Sequence, residues 1–248
     1  MRIRLISQMV RDGVESIRQF GLRKTLGEVP AYLHELVFRT KERSEQAETF
    51  DLAFGTDTAS SVMPWDLPSL KNPGSQVFNY EPTSGRLIRE ILRRIPIAPH
   101  QFAFVDLGSG KGRALLVASE FPFAKILGVE LSSELHAIAE KNIEIYRPEF
   151  QPCRNFELRR ENAAAFIFPA DPLVLFMFNP FGDETMKRVL ENLAISLRMT
   201  PRQAFVAFVY AKLLDMRRFD ALAGGTNVLR RIATTDRYAI YEVDNGMP

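Results

Sequence analysis

The sequence predicts a doubly wound α/β fold. A mostly parallel sheet of seven strands, with helices on both faces, ends in an antiparallel hairpin and follows a mainly helical extension. Three observations predict it. From about residue 102 onward short apolar runs alternate with helical stretches, which implies strand–helix–strand units and a parallel sheet. Leu173 to Asn179 (LVLFMFN) is an apolar run, as a central parallel strand covered on both faces requires. A glycine-rich segment, Gly108 to Gly112, joins the first strand to the helix after it.

The elements follow in order. Gly85 to Arg94 reads as a helix feeding the sheet. Phe102 to Asp106 is a buried strand and Lys111 to Ser119 a helix. Lys125 to Glu130 is the second strand, followed by a helix from Ser132 to Ile145 with Ser132 or Ser133 as its N-cap. Asn155 to Leu158 is a short third strand and Leu173 to Asn179 the fourth. Asp183 to Leu197 is a helix, Ala204 to Tyr210 a strand, and Lys212 to Leu222 the last helix. Asn227 to Ile232 and Tyr238 to Val243, joined by Thr234-Thr235-Asp236, form the hairpin.

The first 100 residues read differently. Helical stretches run to about Arg43 and the polar run KERSEQAE follows. A loop-like region rich in Gly, Pro, Ser, Thr and Asp then extends from Asp51 to Pro82. The expected division is an extension over 1–79, covering the acceptor side, and a ligand-binding domain over 80–248. Residues 1–24 carry Ile3, Ile6, Val10, Val14 and Ile17 at helical spacing, with six basic and two acidic side chains. That pattern suits a helix docked on its own domain better than one lying on an anionic membrane.

Composition narrows the function. The 248 residues are 46% hydrophobic and 25% charged, ordinary for a globular protein. With 32 basic and 30 acidic side chains the net charge is +2, which argues against a protein that coats nucleic acid. A single cysteine, Cys153, excludes an intrachain disulfide, and the three histidines lack HExxH spacing, so no metal site is expected. No signal sequence or membrane span is evident, so a cytoplasmic location is expected.

The chemistry is carried by FVDLGSGKGRALL, starting at Phe104. Glycines at 108, 110 and 112 permit a sharp turn and close approach of backbone to a ligand. The next helix offers free N–H groups at its start. The phosphate loop GxxxxGK followed by Ser or Thr is absent. A dinucleotide-binding oxidoreductase would use GxGxxG and an acid closing the second strand; here the pattern is GxGxG, and Glu130 is that acid. Glu130 can accept from ribose hydroxyls in either reading. Asp106 discriminates, because a carboxylate beside the loop suits a cationic ligand and opposes a pyrophosphate. S-adenosylmethionine carries a sulfonium and an ammonium.

DLGSGKG followed by GVELS resembles the class I, Rossmann-like S-adenosylmethionine-dependent methyltransferases, over about residues 80–245. The resemblance implies that Asp106, Gly108, Ser109, Gly110 and Gly112 form the cofactor loop, that Glu130 and Leu131 hold the adenosine part, and that Asn162 and Ala163 meet the adenine. Asn162 stands where Asp is common. Asn179-Pro180-Phe181-Gly182 ends the fourth strand and is similar to the Asn-Pro-Pro-aromatic motif of amino-directed methyltransferases, with Phe181 in the second-proline slot. It implies Asn179, Pro180 and Phe181 as candidate catalytic residues. Tyr80-Glu81-Pro82-Thr83-Ser84 resembles a segment of non-SET lysine methyltransferases that closes over the methionine end, which implies Tyr80 and Thr83 as cofactor contacts. Thr83 or Ser84 is equally placed to cap the helix at 85. Gly55 to Leu67 (GTDTASSVMPWDL) is similar to a bacterial branch of the same fold.

The expected activity is methyl transfer to a nitrogen nucleophile, with a protein lysine first among acceptors. Small molecules or glycans, methylated on N or O, are the alternatives, as are a non-catalytic cofactor-binding module and a nicotinamide-dependent oxidoreductase. Phe178, Phe181, Tyr80 and Trp65 are candidate aromatic walls. His136 is expected to pack within its helix, and His100 precedes the first strand, at its wrong end for catalysis.

Overall fold

The computed structural model describes residues 48–63, 66–70, 79–210, 213–226 and 228–243. The amphipathic pattern of residues 1–24 and Trp65 lie outside the described residues. The chain divides into two compact units, Met1–Glu42 and Arg43–Pro248, and every described residue belongs to the second.

Five helices and seven strands are named here. Helix α1 spans Gly85–Arg94 and leads into β1 (Ala103–Leu107). Then come α2 (Arg113–Ala118), β2 (Lys125–Glu130), α3 (Ser133–Ile145) and β3 (Phe156–Arg160). The second half runs β4 (Leu173–Phe178), α4 (Asp183–Met199), β5 (Ala204–Val209) and α5 (Leu213–Gly224). It ends with β6 (Leu229–Thr234) and β7 (Tyr238–Val243). The sequence expectations agree to within a few residues at each end.

The seven strands lie in the order β3-β2-β1-β4-β5-β7-β6. β1, β2, β3, β4 and β5 pair in parallel, while β7 pairs antiparallel with both β5 and β6. The chain starts in the middle at β1, works outward to β3, and crosses back to β4 on the other side of β1. The strand order therefore reverses between β1 and β4. The carboxyl ends of strands at such a reversal open a crevice where ligands bind.

The period of two along each strand divides its side chains between two layers. Phe104, Val174 and Phe176 face α1 and α2, where Ile88, Ile91 and Leu116 are fully buried. Val105, Leu175 and Met177 face α4 and α5, where Val189, Leu193 and Phe219 pack. Fully burying each such side chain contributes about 1.5–3 kcal/mol, which makes the double layer the main source of stability.

One expectation fails. The loop-like region was expected to begin at Asp51, but residues 48–54 are helical. Phe50 and Phe54 fall four apart, on one helix face. Both meet the Tyr146 ring, with centroids at 5.7 and 4.6 Å. The turn ends at Gly55, which has a φ of 70°.

Candidate active site

The glycine loop leaves β1 at its carboxyl end. The N–H groups of Gly108 and Ser109 both donate to the Val129 carbonyl, at 2.9 and 3.0 Å, which ties the loop to β2. Gly108 and Gly110 have φ of 79° and 54°, a region side-chain-bearing residues avoid. Close approach adds a second requirement. A Cβ on Gly108 would lie 2.5 Å from Pro180, and one on Gly110 would lie 2.3 Å from the Tyr80 ring. Tyr80 and Pro180 thus lie directly on the loop.

Two buried carboxylates flank it. Glu130 accepts the Gly110 N–H through one oxygen and the Ser132 N–H through the other, both at 2.8 Å. Burial raises its pKa, against the pull of those backbone donors. Asp106 is 4% exposed, and burial, reinforced by the Glu130 charge, holds its pKa well above the usual carboxylate range. A cation brought near either buried acid would favour its charged form.

Tyr80 closes the site from the other side. Its backbone pairs with Val62 through two hydrogen bonds of 2.9 and 3.1 Å, and its hydroxyl donates to the Thr58 carbonyl at 2.8 Å. Burial raises its pKa, so the phenol stays protonated and donating. Thr83 is buried. Ser84 occupies the N-cap position of α1, but its side chain makes no capping bond. Ser132, by contrast, caps α3 as expected, accepting from the Leu135 N–H at 3.2 Å.

Beyond β4, Asn179 has a φ of 35°, unusual for a residue that carries a side chain. Pro180 then packs on Gly108, with Phe181 beside it. A narrow cavity of about 20 Å³ opens at Asn179 and Phe181, with Phe208 and Phe219 among its walls and Asp183, Asp215 and Arg218 in its lining. Phe178 packs instead with the α1–α2 layer, so it does not share a wall with Phe181. Asn162 uses its side-chain oxygen to cap the short turn Ala163–Ala165, accepting from the Ala164 N–H at 2.9 Å. Leu131 is partly exposed at the end of β2. His136 lies on α3 with Nε2 3.6 Å from Glu140, and His100 sits in the turn before β1.

The structure therefore brings together Asp106, the three loop glycines, Glu130, Tyr80, Pro180 and Phe181, drawn from four separate stretches of chain. Sequence reasoning missed the groups that hold residues 66–70 against α3. Ser69 donates through N–H and hydroxyl to the Glu134 carboxylate, which this bonding lowers to a pKa of about 2. Leu67 and Leu70 pack on Leu135 just behind them. Asn142, a buried asparagine inside α3, was the one readable signal, since a polar residue on an apolar helix face needs partners.

The sheet order and the glycine loop at its reversal define a doubly wound α/β protein. More particularly, this chain has the class I S-adenosylmethionine-dependent methyltransferase fold. The family described as "Histone methylation protein DOT1" matches residues 64–163. A release factor glutamine methyltransferase from Geobacter sulfurreducens is 30% identical over 107 residues, covering 43% of this chain and 30% of the relative. The match thus spans about a third of that protein's length. A precorrin-6y methyltransferase structure from Geobacter metallireducens has a TM-score of 0.50 at 13% identity, covering 64% of this chain and 87% of its own. TrmN from Thermus thermophilus scores 0.48 at 14% identity, covering 65% and 49%. Among the described residues no helix is long and apolar enough to cross a membrane, and no group of three or more His, Cys, Asp or Glu side chains could hold a metal ion.

Proposed function

We propose that the protein is an S-adenosylmethionine-dependent methyltransferase that acts on a nitrogen nucleophile, with a protein lysine as the acceptor. The observation that carries this reading is the convergence of two buried carboxylates, Asp106 and Glu130, on a glycine loop lying against Pro180 of the Asn-Pro-Phe turn. The residues fit the cofactor's chemistry. Each Glu130 oxygen accepts one backbone N–H and keeps capacity for a ribose hydroxyl. Asp106 supplies negative charge for the ammonium and sulfonium. Leu131, Asn162 and Ala163 would border the adenine, and Tyr80 and Thr83 the methionine end.

S-adenosylmethionine, when bound, supplies the methyl group and the thioether that leaves, so the protein's share is alignment and exclusion of water. A lysine acceptor must first lose its proton, at a cost of about 4–5 kcal/mol at pH 7 for an ordinary pKa. The stacked rings of Phe208 and Phe219 near Asn179 would lower an amine's pKa, against Asp183 and Asp215 in the same lining, which would raise it. Asn179 offers a side-chain carbonyl to orient the amine. Residues 48–63, 66–70 and 79–84 act as the cover. The names of the family and of the curated relative, histone methylation and a release-factor glutamine, both point to protein acceptors.

Calorimetry with S-adenosylhomocysteine and NAD tests the cofactor. The first should bind and the second should not, and the reverse result would sink the reading. Transfer of labelled methyl into a cell lysate, followed by hydrolysis and amino-acid analysis, tests the acceptor. Label should appear in methyl-lysine. Label confined to small molecules or glycans would overturn the lysine reading.

A further inference from the structure

We infer that Asp51 is a positioning residue for the glycine loop: it folds residues 56–59 into a clamp that grips the loop through Tyr80, Lys111 and Asn142. The inference rests on the reading of that loop as the cofactor site.

The clamp begins with one carboxylate. Asp51 accepts from the hydroxyls of Thr56 and Thr58 at 2.7 and 2.6 Å, and from the N–H groups of Thr58 and Ala59 at 2.6 and 2.5 Å. The Arg113 guanidinium, at the start of α2, lies 3.4 Å away and stacks over Phe50. Thr56 and Thr58 are 8% and 0% exposed, so their hydroxyls need protein partners, and Asp51 supplies both.

The turn so folded grips the loop at three points. The Thr58 carbonyl accepts the Tyr80 hydroxyl at 2.8 Å, which sets the ring on Gly110. Asp57 takes the Lys111 ammonium at 2.7 Å, and the same ammonium donates to the Ser60 hydroxyl at 2.6 Å. Asn142 joins the two directly. Its oxygen accepts the Asp57 N–H at 2.8 Å, and its amide donates to the carbonyls of Asp57 and Lys111, both at 2.9 Å. The Asp57 side chain is 61% exposed, and an ion pair with so open a partner contributes little unless something else fixes it. Asp51 and Asn142 do that fixing. Cofactor affinity therefore depends on a carboxylate bonded to the clamp rather than to the loop.

Three variants test this: Asp51→Ala, the milder Asp51→Asn, and Phe54→Ala. The last loosens the same segment at Tyr146 without touching the turn. Hydrogen exchange is read on the ligand-free protein, and S-adenosylhomocysteine affinity by calorimetry. Asp51→Ala should expose the amides of 57–60 and of Gly110 and Gly112 to exchange and weaken binding about tenfold or more. Asp51→Asn, which keeps one acceptor edge, should give the same pattern in smaller measure. Phe54→Ala should lower the melting temperature and leave affinity within about twofold. Unchanged affinity in both Asp51 variants overturns the inference. So does a Phe54→Ala loss equal to theirs, because affinity would then track stability alone. If the wild-type protein binds no S-adenosylhomocysteine, the cofactor reading falls. Exchange at Gly110 and Gly112 still decides the clamp, supported by lost protection and overturned by retained protection.

Discussion

Strand β4 and residues 48–62 reach the same glycine loop from opposite sides and are held by different forces. β4 arrives through Pro180 after a run, Leu173 to Met177, that is at most 1% exposed and packed on both faces. Residues 48–62 arrive through Asp57 and Thr58. Phe50 and Phe54 anchor the start of that segment and Val62 packs at its end, while the turn between them is tied by polar groups: Asp51, Asn142, Lys111 and the Tyr80 hydroxyl. Leu52, in the same segment, is 86% exposed. The difference teaches where each function is lodged. Non-directional burial holds the sheet, whereas the turn at 56–60, beyond its Phe50 and Phe54 anchor, is held by directional bonds.

Substitutions should separate the two kinds of support. The largest stability effect belongs in the core. Leu175→Ala should cost about 2–5 kcal/mol in urea unfolding, because a close-packed site relaxes only partly around a cavity. A cost under about 1 kcal/mol would show the sheet to be less tightly packed than its burial implies. Next comes the site itself. Glu130→Ala should weaken S-adenosylhomocysteine binding tenfold or more, since a hydrogen bond to a charged group contributes about 1.5–3 kcal/mol, while the melting temperature changes less than in Leu175→Ala. Unchanged affinity would remove the ribose role.

A smaller effect is expected from pH. Asp106 has its folded pKa raised by burial and by Glu130, so the ligand-free protein holds a proton there above the ordinary carboxylate range. Its contribution to folding is therefore greatest at low pH and is lost as pH rises through the raised pKa. A cationic ligand favours the carboxylate, so S-adenosylmethionine affinity should rise over that same interval, with proton release on binding. Calorimetry in buffers of differing ionisation enthalpy measures it, and proton uptake would contradict the assignment. The smallest effect belongs to the surface. Arg230 pairs with Glu242 across the β6–β7 hairpin, with Arg230 65% exposed. Arg230→Ala should shift stability by about 0–1 kcal/mol and leave cofactor binding intact.

Much of this was legible because the signals were local. Strands β1, β2, β4, β5 and β7 announced themselves as apolar runs. The loop announced itself through glycines at fixed spacing, and Ser132 through its place before a helix. The short helix at 48–54 was missed because a polar run precedes it and its buried face rests on the single pair Phe50 and Phe54, whose partner Tyr146 lies far along the chain. Motif position also did not reveal that the Asn162 oxygen caps the adjoining turn.

The sequence by itself determined the alternation of strands and helices, the glycine loop and the two acids beside it. Each depends on neighbours in the chain, on side-chain period, or on backbone freedom at one residue. Only the tertiary structure decided that Tyr80 and Pro180 close on that loop from opposite sides, that Asp51 folds the turn gripping it, and that Phe178 and Phe181 belong to different layers. Those contacts join residues up to 85 positions apart, as Asp57 and Asn142 are. Polar contacts of that range follow from where the packed sheet sets its loops, and no period in the sequence encodes them.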